Sequence, residues 1–129
     1  MDRSKDWFRQ SEFDLATAET LLQNQRFAWA CFISHQSAEK ALKALLEAKN
    51  RPSWGHDLTD LVNSLANFLD IPSSISNVCF RLNLFYIPTR YPDAFPSGAP
   101  ADKFSQQQAE DALKDAKEVF NFVGSKLTK

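Results

Sequence analysis

The sequence predicts an all-α fold: an antiparallel up-and-down bundle of four to five helices, with a long proline-rich loop before the last one. Apolar residues recur at the 3.6-residue spacing of a buried helical face in five successive segments. No segment alternates apolar and polar residues as a half-buried strand does. The loop shows in residues 85–100, FYIPTRYPDAFPSGAP, whose prolines at 88, 92, 96 and 100 suit neither a helix interior nor a central strand.

The first helix is expected over 4–24, with Phe8, Ser11, Leu15, Ala18 and Leu22 on one face. The second, about 26–50, aligns Phe27, Cys31, Ser34, Ala38, Ala41, Leu45 and Ala48, and its small residues allow a neighbouring helix to approach closely. A third, 57–69, sets Leu58, Leu61, Val62, Leu65, Phe68 and Leu69 at near-ideal spacing. Asp57 can cap its first-turn amides, and Pro72 blocks its continuation. The fourth begins at Ser73 or Ser74 and carries Ile75, Val78, Cys79, Leu82, Phe85 and Tyr86. It ends because Pro88 disfavours helix at Ile87. The last opens on Ser105 and Gln108, a capping box, and buries Ala109, Ala112, Leu113, Ala116, Phe120, Val123 and Leu127.

A chain of 129 residues is one domain's worth, so residues 1–129 are read as a single helical domain. With 43% apolar and 24% charged residues the composition is that of a globular protein. The net charge is −1, from 15 basic and 16 acidic residues mixed along the chain, which argues against general nucleic-acid binding by clustered cations. Cys31 and Cys79 are too few for a disulfide framework and sit in apolar helical patterns, as buried free thiols do. The start, MDRSKDWFRQ, has no signal-peptide core, and no run approaches ~18 apolar residues. A soluble, cytoplasmic protein with no membrane partner is expected.

The second helix carries a further apolar line through Ala28, Phe32, Leu42 and Leu46, while Trp7 and Trp29 sit off the main stripes. Either this helix is central to its own bundle, or it also packs on a second copy in a homodimer.

The stretch HQSAEKALKALL at 35–46 resembles the central motif of the HEPN domain, the nucleotide-binding helical domain of prokaryotes and higher eukaryotes. Further matches are Trp7, the AxxLL pattern from Ala18 to Leu22, GHDLTDLV at 55–62, TRYPDAF at 89–95 and AEDALKDAKEVFNFV at 109–123. The RYPD run, followed by prolines and a Phe, is most similar to the HEPN domain at the C-terminus of sacsin and its bacterial relatives. The family often has Gln where this chain has His35. The resemblance implies a dimerising helical bundle that either binds nucleotides, often beside a minimal nucleotidyltransferase, or cleaves RNA without metal through an Arg-x4–6-His motif.

Arg51-x4-His56 matches that motif literally, yet it lies between the second and third helices, whereas the family's pair lies towards the last helices. Arg81 and Arg90 occupy that later region, with no histidine beyond His56. A general base must reach the proton it removes, so no catalytic residue is assigned and His56 is expected to cap or pack at a helix start. Cys31 and His35 lie one helical turn apart, but Cys79 and His56 are the only other soft candidates, so no metal or cofactor is expected. Gly55, Gly98 and Gly124 form no phosphate-cradling loop. An anion site remains. Lys40 and Lys43 share a helix face with Gln36 and Glu47, in what is otherwise a solvated face with a Lys43–Glu47 pair. Arg90 can fork to phosphate, and Tyr91 can stack on a base or plug the core while Arg90 and Asp93 tie down the loop. Lys40, Lys43, Arg90, Tyr91 and Asp93 are therefore the expected nucleotide-binding residues, for a ligand of the ATP or GTP class. The expected protein is a non-catalytic homodimer, partnering a nucleotidyltransferase. Its alternatives are a toxin-like ribonuclease and a dimerisation or scaffold module.

Overall fold

Residues 24–26 separate α1 (Ser4–Gln23) from α2 (Phe27–Ala48), so the two long helices fold back on each other as a hairpin. The computed structural model describes residues 2–127. Both helices end the same way. Gln25 and Asn50 take positive φ (61° and 57°), and the next amide, of Arg26 or Arg51, reaches back to the carbonyl of Leu21 or Leu46. Those bonds satisfy carbonyls that a helix end leaves open. Arg51 thereby leaves α2 in a fixed direction.

The hairpin seam contains small polar side chains. Ser11 Oγ donates to the Ser37 carbonyl at 2.7 Å, and Ser37 Oγ donates to the Ser11 carbonyl at 2.9 Å. One turn away, Lys40 pairs with Asp14. Helix α2 also packs on α3, α4, α5 and the turn at Pro100–Asp102, which makes it the centre of the bundle. Leu42 and Leu46 are fully buried within the subunit, so the inner half of its second apolar line belongs to its own core. Phe32 is partly covered and Trp29 is half exposed.

Helix α3 (Leu58–Leu65) starts where Asp57 accepts from the amides of Thr59 and Asp60, at 2.9 and 3.3 Å. It is shorter than the 57–69 that its periodicity predicts. The amides of both Phe68 and Leu69 turn onto the Leu65 carbonyl at 3.2 Å, tightening the chain before Pro72. Phe68 and Leu69 still pack on the core from that turn. Helix α4 (Ser73–Asn83) likewise stops before Phe85 and Tyr86, whose amides bond three residues back, to Leu82 and Asn83.

The proline-rich stretch is more ordered than its composition predicts. Pro92–Ala94 and Pro100–Asp102 are single 3₁₀ turns, each opening on a proline, where the missing N–H costs nothing. Thr89 Oγ1 donates to the Phe85 carbonyl at 2.6 Å, and Phe104 meets Phe85 and Phe95 edge-on at 6.0 and 6.1 Å. Helix α5 (Gln106–Leu127) then opens on the capping box read from the sequence. Ser105 N donates to Gln108 Oε1 at 2.9 Å, and Gln108 N to Ser105 Oγ at 3.1 Å. The helix runs antiparallel to α1, with Phe8 stacked on Phe120 (4.4 Å) and Glu19 paired with Lys117 (3.3 Å). Its C-terminal end lies beside the C-terminal end of α2, so the long loop has to carry the chain back along the bundle before α5 can begin. Among the described residues there is no strand, and no helix is long and apolar enough to cross a membrane.

Candidate functional site

One carboxylate organises the most polar interior region. Glu39, only 3% exposed in the middle of α2, holds Lys43 Nζ at 3.2 Å through one oxygen and His56 Nδ1 at 3.0 Å through the other. Burying the acid is tolerable because both its oxygens are engaged. Lys43 is itself 7% exposed and its ammonium lies 5.6 Å from the Trp7 ring centroid. The face expected to be solvated is thus interior at Lys43, whose partner is Glu39 rather than Glu47. An acid placed four residues before a base is also the more favourable order on a helix.

Two histidines meet at this acid. His35 is fully buried, and burial pushes its pKa below the ordinary value, leaving the ring neutral. Its Nδ1 lies 3.1 Å from Gln36 Oε1 and its Nε2 3.1 Å from the His56 carbonyl, both acceptors, and the single N–H of the neutral ring is placed on Nε2, donating to the His56 carbonyl. That bond fixes the backbone of His56. Its ring, half exposed, donates Nδ1–H to Glu39 and keeps Nε2 as an acceptor when neutral. The ring also stacks on Tyr86 at 4.8 Å, with 18° between planes. His56 packs, as expected, while Asp57 supplies the cap.

Tyr86 joins this group to the proline loop. The Arg90 guanidinium carbon lies 4.5 Å from the Tyr86 centroid, 4.4 Å from Phe32 and 4.9 Å from Tyr91. Arg90 Nε donates to the Tyr86 carbonyl at 2.8 Å, and Nη1 lies 3.4 Å from Tyr91 Oη. Arg90 therefore ties the loop to the bundle while keeping most of its N–H groups. Tyr91 is 46% exposed and does not plug the core. Asp93 is exposed on the turn that follows. A cavity of about 490 Å³ opens beside the cluster, lined by His56, Asn83, Tyr86, Ile87 and Pro88 among others.

Of the five residues expected to bind a nucleotide, the structure brings Arg90, Tyr91 and Asp93 to one loop, with Arg90 on Tyr86. Lys40 and Lys43 sit apart from them, paired with Asp14 and Glu39. Arg81, in the region where the resemblance places catalysis, holds Asp115 of α5 through two bonds at 2.9 and 3.0 Å. Burial raises both thiols, Cys31 and Cys79, to about 12, so neither is a nucleophile at neutral pH. Among the described residues no three His, Cys, Asp or Glu side chains cluster as a metal site would require.

The family profile described as HEPN domain matches residues 4–126. The chain belongs to the HEPN family. Solved structures superpose on it closely. TT1696 from Thermus thermophilus is 40% identical, with a TM-score of 0.95 over 98% of this chain and 99% of that one. ST0689, described as an archaeal HEPN homologue, is 32% identical, with a TM-score of 0.83 and 98% of each chain covered. A protein of Methanocaldococcus jannaschii named "Putative toxin MJ1304" is 23% identical over 93% of this chain and 85% of its own length. In this HEPN domain, sequence reasoning passed over Glu39 and Tyr86 as site residues. The Glu39/Lys43 spacing was the available signal for the first. Nothing local marks the second, because Tyr86 matters only for what the fold stacks on it.

Proposed function

We propose that this HEPN domain binds a nucleotide or a related phosphate ligand at the Tyr86 cluster, as a homodimeric, non-catalytic partner of a nucleotidyltransferase. One observation carries the reading. Tyr86 stacks with a half-exposed histidine held by a buried acid, and with an arginine that has no carboxylate of the described residues in ion-pair distance. Arg90 is the phosphate contact: its Nε is used by the backbone, and its terminal N–H groups suit a fork to phosphate oxygens. Tyr91 offers a face for a base, and Asp93 an acceptor for a ribose hydroxyl or an exocyclic amine. Lys40 and Lys43, neutralised by Asp14 and Glu39, take no direct part in this contact. The half-exposed Trp29, edge-on to Phe32 on the second apolar line of α2, is the apolar surface we assign to the second subunit.

Calorimetry with ATP and GTP tests the binding. Arg90→Ala is expected to weaken affinity at least about tenfold, the worth of one charge-assisted hydrogen bond. Arg90→Lys should restore only part of it, since the fork is lost. Unchanged affinity in both variants refutes the assignment. Light scattering at 14.6 kDa rather than twice that mass refutes the dimer.

A second reading, ribonuclease, draws on the Glu39–His56 pair and on the toxin name carried by the Methanocaldococcus relative. There His56 would take the ribose 2′-hydroxyl proton and Arg90 would stabilise the charged phosphorane. RNA cleavage that disappears in His56→Ala would select this reading over the first.

A further inference from the structure

The connection between α2 and α3 carries Trp54, 85% exposed, the most exposed of the large apolar side chains. Gly55 beside it has φ +83° and open space around it, so the turn that holds the indole outward suits glycine. Trp54 walls a cavity of about 430 Å³ together with Arg51, Trp7, Lys43, Glu47 and His56. His56 also walls the Tyr86 cavity, so the two hollows adjoin across one imidazole.

The arginines at the two ends are alike. Arg9, Arg51 and Arg90 all stack on aromatic rings, but among the described residues only Arg9 also has a carboxylate partner, Glu12. Arg51 lies 5.3 Å over Phe68, and no carboxylate of the described residues is within ion-pair distance of it, although Glu47 and Asp60 line the same hollows. Each side of His56 thus offers an aromatic surface and an arginine: Tyr86 and Tyr91 with Arg90, then Trp54 with Arg51. Glu47, on the Trp54 wall, repels phosphate there and favours placing the anion away from it, on the Arg51 guanidinium.

Resting on the nucleotide reading above, we infer that the groove continues past His56 to Trp54. The ligand is then a dinucleotidyl unit, two bases joined through phosphate, with one base at the Tyr86 side, the other on Trp54 and the linking phosphate between Arg90 and Arg51. The same chemistry occurs in a pyrophosphate-linked free dinucleotide and in two successive residues of a single strand. Stacking of a base on an aromatic side chain is sequence-tolerant, which fits a site with few side-chain amides.

Binding of AMP, of the phosphodiester-linked ApA and of the pyrophosphate-linked NAD⁺ to the full chain, followed by calorimetry, tests this. At least one two-base probe is expected to bind about fivefold or more tighter than AMP, a gain that Trp54→Ala removes while AMP affinity stays unchanged. ApA as the tighter probe assigns the site to a strand, and NAD⁺ to a free dinucleotide. Two-base probes that bind no better than AMP, or a gain that survives Trp54→Ala, overturn the extended groove while leaving the mononucleotide reading intact. Loss of AMP binding in the unaltered protein, with ApA and NAD⁺ also unbound, overturns both.

Discussion

The two long connections of this bundle solve the same problem in opposite ways. Residues 84–105 fold into a small structure of their own, with 3₁₀ turns at Pro92 and Pro100, the Phe85–Phe104–Phe95 edge-on stack and Thr89 bonded back to Phe85. Residues 49–57 have no such interior. They are anchored at their far end, where Glu39 and His35 hold the ring and carbonyl of His56, and they leave Trp54 exposed. A loop that packs on itself needs prolines and aromatics in its own sequence. A loop pinned from outside needs a buried polar anchor on a neighbouring helix, and its remaining side chains stay free to meet a ligand.

The largest effect is expected at that anchor. Glu39→Ala leaves the Lys43 ammonium buried without its partner, which costs about 3–5 kcal/mol in urea denaturation. Glu39→Met together with Lys43→Met should recover most of that, because a buried pair replaced by apolar groups of similar volume is nearly neutral. If the single and double variants are equally unstable, the anchor is not electrostatic.

In the self-packed loop, Phe104→Ala should cost about 2–4 kcal/mol, since the ring packs on the core as well as on Phe85 and Phe95. A loss under about 1 kcal/mol would mean that the prolines alone hold the loop.

Acidity should sort the two loops without mutation. In the unfolded chain His35 takes up a proton near its ordinary 6.5, whereas burial holds the folded ring below that value. Its contribution to stability is therefore complete above about 6.5 and is lost as the pH falls through that value towards the folded pKa. Melting followed from pH 7.5 to 5.5 should fall, and His35→Gln should flatten the curve; an equally steep curve in that variant would move the effect to another group. The smallest change is expected from Trp54→Ala, whose indole is so exposed that stability should shift by no more than about 0.5 kcal/mol. A larger loss would show the 49–57 connection to be packed after all.

Helix positions were legible from single residues. Asp57, the Ser105/Gln108 pair, Pro72 and Pro88 each act on the backbone nearest to them, so a local reading suffices. Helix ends were less so: Phe68 and Leu69 continue the apolar period of α3 but pack equally well from a turn. The site was mostly illegible for a different reason. Charged residues are expected outside, so Lys43 was placed on a solvated face and Glu39 passed unremarked. No histidine follows Arg90 in the sequence. The fold supplies one from the other side of Tyr86, and a link between positions 56 and 90 leaves no trace in local spacing.

The reciprocal serine bonds between α1 and α2 bear on the order in which the molecule comes apart. Each hydroxyl of Ser11 and Ser37 is tied to the opposite main chain, so sliding one helix by a turn breaks both links together. The hairpin can therefore open but cannot creep. Its contacts span little of the sequence, and such pairs close quickly. In native-state hydrogen exchange, the amides of α1 and α2 around this seam should open last, and those of residues 52–57, anchored only through the Glu39 and His35 contacts to His56, first.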